Sequence, residues 1–236
     1  MSARSDKVPS QSLSHEYRLI RSRRRTLALV VTSDGELQVR APMRATQEQI
    51  RQMLAKHDGW IRRKKAEQAS RRPAPVTFAE GETFPVNGQW LPLQFGNTGR
   101  ASVVAHDDAL IVARRLHASP EKIESALILF YKKTTLERMN AHVSELRRQT
   151  GLHVSKVGVT MARRRWGSCS SRSSLNFSYR LAMVPDFVQR YLAVHEMAHL
   201  RHPNHSPAFW AQVAEWMSEF RLAEKWLKNE GARLPL

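Results

Sequence analysis

The sequence predicts an α+β fold. Strand-type alternation broken by short turns fills most of the first half, and helical spacing dominates the last quarter. Between them, a stretch opening at Ser119-Pro120 reads as one long helix, with serine as cap and proline at its first position.

Residues 26–41, TLALVVTSDGELQVRA, place two apolar runs about Asp34-Gly35, which is a hairpin signal. Thr46 and Gln49 stand at capping-box spacing. Ile50, Met53, Leu54, His57, Trp60 and Ile61 follow at helical intervals, so one helix is expected to run into Arg62-Arg63-Lys64-Lys65. RRPAPV at 71–76 reads as a linker. A second hairpin is expected over 85–95, turning at Asn87-Gly88, and another strand pair over 101–113 around Asp107-Asp108. Ile123, Leu127, Phe130, Val143 and Leu146 mark the buried stripe of the long helix, and Gly151 its stop. Residues 157–161 read as extended. Over 175–181, Leu175, Phe177, Tyr179 and Leu181 alternate with Asn176, Ser178 and Arg180, giving a strand with one apolar and one polar face. Pro185 opens the next helix, and Phe209, Val213, Trp216, Met217 and Phe220 form a further helical stripe. The chain thus divides into a basic hairpin-plus-helix region (1–72), a β-rich segment (73–118) and a region (119–236) expected to hold the site and pack with what precedes it.

With 42% hydrophobic and 25% charged residues, the chain can bury a core. No apolar run approaches the ~18–20 residues needed to span a bilayer. The opening MSARSDKVPSQSLSHEYR lacks the apolar core of a secretory signal, so a cytoplasmic protein is expected. Cys169 is the single cysteine, which excludes an intramolecular disulfide and a multi-cysteine metal site. The net charge of +17 is uneven. Residues 1–72 hold 17 Lys/Arg against 7 Asp/Glu, and Arg23–Arg25, Arg62–Lys65 and Arg163–Arg165 are the densest clusters. Such clusters suit non-specific association with nucleic acid, or simply a solvated basic face, since no aromatic residues interleave with them.

The chemistry concentrates in VHEMAHLRHPNHSPAFW, residues 194–210. His195 and His199 are four apart, one turn above the other on one helix face, so both imidazoles can reach one ion. Glu196 lies about 100° around the axis, placed for a water at the ion rather than for the ion itself. The third ligand is a choice. His202 would sit about 10.5 Å along the axis from His195, beyond the reach of one straight helix, and Pro203 disfavours helical geometry there. A turn at 202–204 followed by the helix start Ser206-Pro207 favours His205. Glu219 and Glu215 on the following helix compete, and an unligated one of them could orient a histidine. Three imidazoles would leave a coordination position open for catalysis.

These stretches, with RRRWGSCSSRSSLNFSYRLAMVP at 163–185, resemble the YgjP-like metallopeptidase family, related to the SprT-like proteases among the zincins. The resemblance is close over roughly residues 160–217. It implies a zincin-like catalytic domain, zinc on His195, His199 and His205, and Glu196 as catalytic base. His202 stands where metzincins of the same histidine spacing carry glycine. In zincins the strand ahead of the active-site helix pairs with extended substrate, which puts Asn176, Ser178 and Arg180 forward as substrate contacts. Arg180, Tyr179 and His202 are the candidates for stabilising the oxyanion. In Trp166-Gly167-Ser168-Cys169-Ser170, Cys169 reads as a small buried thiol.

The expected function is zinc-dependent peptide hydrolysis through a water activated at the ion, with a peptide or protein as substrate. Two alternatives stand beside it. A metal-dependent nucleoside triphosphate hydrolase would use the basic residues near the site, and a nucleic-acid-associated module would carry a non-catalytic zinc.

Overall fold

The structure, a computed structural model, describes residues 5–8, 15–32, 35–71 and 76–236. Asp34 of the first expected turn and residues 72–75 of the expected linker lie outside them. The chain forms two units, Met1–Arg72 and Pro73–Leu236.

In the first unit, β1 (Ser5–Val8), β2 (Tyr17–Ser22), β3 (Ala28–Val31) and β4 (Leu37–Pro42) form one sheet in the order β1-β2-β4-β3. The expected hairpin is β3–β4, pairing Ala28 with Arg40 and Val31 with Leu37. β2 lies parallel to β4 and was not legible, because Tyr17 and Leu19 alone carry its buried face between arginines. Thr46 caps α1 (Gln47–Lys56) through the reciprocal bonds of a capping box. The single expected helix is two, since α2 (Asp58–Arg71) starts after a break at His57. Asp58 and Gly59 are weak helix formers, and the Asp58 carboxylate is held by His15 at 2.7 Å and Arg62 at 2.9 Å. Ile50, Leu54 and Ile61 still share one core with Leu37, Val39 and Ala41.

In the second unit, β5 (Thr83–Val86), β6 (Gln89–Gly96), β7 (Val103–Ala105) and β8 (Leu110–Ala113) form a sheet in the order β5-β6-β8-β7. Both expected hairpins are present. Asn87 (φ 52°) and Gly88 (φ 82°) make the β5–β6 turn with the two positive φ angles that a type I′ turn requires. A Cβ on Gly88 would stand 2.7 Å from Pro185, so glycine also permits close approach to the start of the next helix. α3 (Pro120–Thr150) ends at Gly151, φ 69°. Tyr131, not Phe130, continues its buried stripe, and Ser119 bonds the Glu121 side chain instead of capping the backbone.

β9 (Lys156–Thr160), β10 (Gly167–Cys169) and β11 (Ser174–Ser178) form a second sheet in the order β10-β11-β9. The strand expected over 175–181 stops at Ser178. Tyr179–Met183 is a 3₁₀ turn, in which Thr135 of α3 accepts from the Ala182 amide and donates to the Tyr179 carbonyl. α4 (Asp186–Ala198) follows and is buried on nearly every side. Gln189 ties it to Asn87 of the β5–β6 turn at 3.1 Å. α5 (Pro207–Trp216) is capped by Ser206, and α6 (Phe220–Glu230) completes the unit. The stripe from Phe209 to Phe220 therefore spans two helices with a break at 217–219. No described helix is long and apolar enough to cross a membrane.

Candidate metal centre

The helix α4 is apolar enough to be a core helix, so the few polar side chains it buries need partners or a function. His195 lies in its last turn and His199 at its C-cap. The chain then turns, with the His202 amide donating back to the Ala198 carbonyl, and returns at Ser206, which brings His205 over the other two. The nitrogens of His195, His199 and His205 lie within 4.8 Å of one another, and these three could hold a metal. The Nε2 atoms of His195 and His205 are 3.1 Å apart. Phe209, fully buried, backs all three rings at centroid distances of 5.0, 4.6 and 4.8 Å.

Hydrogen bonds fix two of these rings. The His202 carbonyl can only accept, so His199 donates to it through Nδ1 at 3.0 Å and keeps its Nε2 lone pair free. Tyr191 donates to Glu224 at 3.4 Å and so accepts from His195 Nδ1 at 3.3 Å, which frees His195 Nε2 in the same way. Burial, then the neighbouring His199 and His205, lowers His195 to about 4, and burial also lowers His199. Neutral imidazole is the form that binds metal.

Glu196 is 6% exposed, and burial raises its carboxyl to about 7, with Arg165 pulling the other way. Gly167 of β10 gives it room, because a Cβ there would meet Glu196 Oε1 and approach its Cδ at 2.8 Å. The three histidines and Glu196 line a cleft of about 670 Å³ together with Arg165 through Ser171, Tyr191, Leu192, Pro203 and Leu227.

The other expected site residues lie elsewhere. β11 is the central strand, with β10 and β9 on its two edges, so it offers no free edge to a substrate. Asn176 sits over Gly158 of β9. Ser178, 1% exposed, donates to the Ala162 carbonyl. Tyr179 is fully buried, and Arg180 donates to the carbonyls of Arg163, Gly231 and Leu234 while covering Trp166. The side chain of His202 does not line the cleft; its carbonyl is what the site uses. Glu215 accepts from Gln212, and Glu219 flanks the start of α6. The carboxylate that supports a histidine is Glu224, acting through Tyr191. Tyr191 stands four residues before His195, on its helix face, and that spacing could have revealed it; nothing in sequence pointed to Glu224. Cys169 is half-buried and lines the cleft, with its thiol raised by burial and by Glu196.

Among curated proteins none matches the chain. The family model described as YgjP-like, metallopeptidase domain, matches residues 25–230. Such a domain implies a metal-dependent hydrolase, in keeping with three convergent imidazoles beside a buried carboxylate. The chain belongs to the YgjP-like metallopeptidase domain family.

Proposed function

We propose that the cleft is the active site of a zinc-dependent peptidase of the zincin type, with His195, His199 and His205 as ligands and Glu196 as general base. The observation that carries this is the convergence of three imidazoles, two with Nε2 lone pairs set by their hydrogen bonds, beside a buried carboxylate. Zinc–nitrogen bonds of ~2.0–2.1 Å put neighbouring tetrahedral ligands roughly 3.3–3.4 Å apart, and the 3.1 Å between His195 and His205 is close to that. A zinc ion held by His195, His199 and His205 would supply Lewis acidity to an attacking water and to the scissile carbonyl. Glu196 takes the proton of that water on a carboxylate oxygen and returns it to the leaving amine nitrogen. The peptide C–N bond breaks and the water oxygen ends in the new carboxyl group. Burial favours the protonated carboxyl and a metal bound beside it would favour the carboxylate, so the two opposing influences suit a group that takes and then returns a proton. β10, at the sheet edge along the cleft, offers an extended peptide a strand to pair with.

Metal analysis of the purified protein joined to a hydrolase screen tests this. About one zinc per chain and chelator-sensitive cleavage of casein or a peptide library support it. A second reading has one observation in its favour: exposed Arg165 lines the cleft beside Glu196, which suits an anionic substrate such as a nucleoside triphosphate. Nucleotide hydrolysis without peptide cleavage in the same screen would establish that reading.

Two further outcomes probe the supporting residues. Tyr191→Phe and Glu224→Gln should each weaken zinc binding by roughly 10–100-fold, measured by competition with a chromogenic chelator. Unchanged affinity in both would remove their role in orienting His195. Gly167→Ala should push the Glu196 carboxylate aside, lowering turnover by something on the order of 10²-fold with zinc retained. Wild-type turnover in that variant would show that the carboxylate has room to spare.

A further inference from the structure

The first unit carries a net charge of +10 (17 Lys/Arg against 7 Asp/Glu), and three of its cations gather at one groove. The densest run in sequence, Arg62–Lys65, is partly neutralised on α2, where Arg62 pairs with Asp58 at 2.9 Å and Lys64 with Glu67 at 2.6 Å. An open groove of about 520 Å³ lies instead between the chain ahead of β3, the loop after β4 and one side of α1. Arg25, Arg44 and Lys56 line it, no carboxylate does, and none of the three is ion-paired among the described residues. Gln49, Gln52, Met53 and Lys56 recur at i, i+3, i+4 and i+7, one face of α1, while Ile50 and Leu54 are buried in the core of the unit. Glu48, the sole acid of α1, is engaged by Arg51 at 2.8 Å and by Gln52.

The groove is also held in shape. The Arg21 guanidinium donates to the carbonyls of Pro42, Met43 and Ala45 at 3.1, 3.0 and 2.9 Å, pinning the loop that carries Arg44. The Thr46–Gln49 capping box fixes the chain directly after it. A ligand meeting cations on a loop already ordered pays less to order them.

We propose that this groove binds the sugar–phosphate backbone of a nucleic-acid strand without reading its sequence. Three cations with no ion-pair partner among the described residues, around a concave groove that none of the described acids lines, complement a linear polyanion, whereas a flat anionic membrane would meet only its rim. Among the described residues no aromatic side chain lines the groove to stack bases, so the phosphates supply the affinity.

Fluorescence anisotropy on the full chain tests this, with oligo(dT) and oligo(U) of about 20 nucleotides titrated across a salt series. The exposed residues are replaced as Arg25→Gln, Arg44→Gln and Lys56→Gln together. The loss expected at ~50 mM salt is on the order of 10²-fold, and the slope of log affinity against log salt should flatten by about 2, the single-strand value for three phosphates. Arg44→Gln alone should flatten it by about 0.7, which keeps the test usable if the triple variant melts early. The matched variant Arg62→Gln, Arg63→Gln, Lys65→Gln removes equal charge elsewhere and should change affinity only a few-fold. No wild-type binding at ~50 mM salt overturns the proposal. Equal losses in the two triple variants overturn the groove in favour of diffuse charge. Binding to phosphatidylcholine–phosphatidylserine vesicles that depends on the groove residues, with oligonucleotide affinity unchanged by their replacement, overturns the nucleic-acid assignment.

Discussion

Glu196→Gln is expected to lower hydrolysis by a factor on the order of 10²–10⁴, the usual worth of a positioned general base, while zinc stays bound. Glutamine keeps the size and shape of the side chain in the pocket beside Gly167 but cannot take a proton. Because the carboxylate is buried and its pKa is already raised, replacing it with a neutral amide should shift the melting temperature little. The substrate is whichever one the screen identifies, and zinc content is measured on the same preparation. Wild-type activity would sink the base assignment even with three histidines on the metal. Loss of zinc would instead make Glu196 a ligand or an essential support for one. The same variant bears on the reading of a non-catalytic zinc module, in which Glu196 has no task and nothing measurable should change.

His205→Ala should lose most of the bound zinc, and activity with it, whereas His202→Ala should keep both. His205 is exposed, so its removal opens no cavity in the core, and metal loss there reports ligation rather than unfolding. His202 contributes its backbone carbonyl to His199, and alanine supplies the same carbonyl. Metal content by mass spectrometry, with melting curves alongside, separates the two variants. The opposite pattern would mean that the turn after α4 presents the wrong imidazole.

Local rules made much of this legible in sequence. Asn87-Gly88, the Thr46–Gln49 capping box, Gly151 and Ser206-Pro207 each act within a few residues, and each formed as expected. The spacing of His195, His199 and His205 around Pro203 belongs to the same class, because a helix and one tight turn fix their separation. Alternation was a poorer guide over 175–181. Leu175, Phe177, Tyr179 and Leu181 are all fully buried as the pattern required, but Thr135 from α3 satisfies the backbone of a 3₁₀ turn where the strand was expected to continue.

The sequence by itself determined the α+β class, the helix bearing the histidines and the family to which the chain is matched. Only the tertiary structure decided which strand lies along the cleft, that Glu224 reaches His195 through Tyr191, and that Arg25, Arg44 and Lys56 line one groove. The reason is common to all three. Sheet order, a hydrogen bond spanning 33 residues from Tyr191 to Glu224, and the meeting of Arg25, Arg44 and Lys56 at one groove depend on which separate segments pack together, and a periodicity read along one segment carries no record of its neighbours.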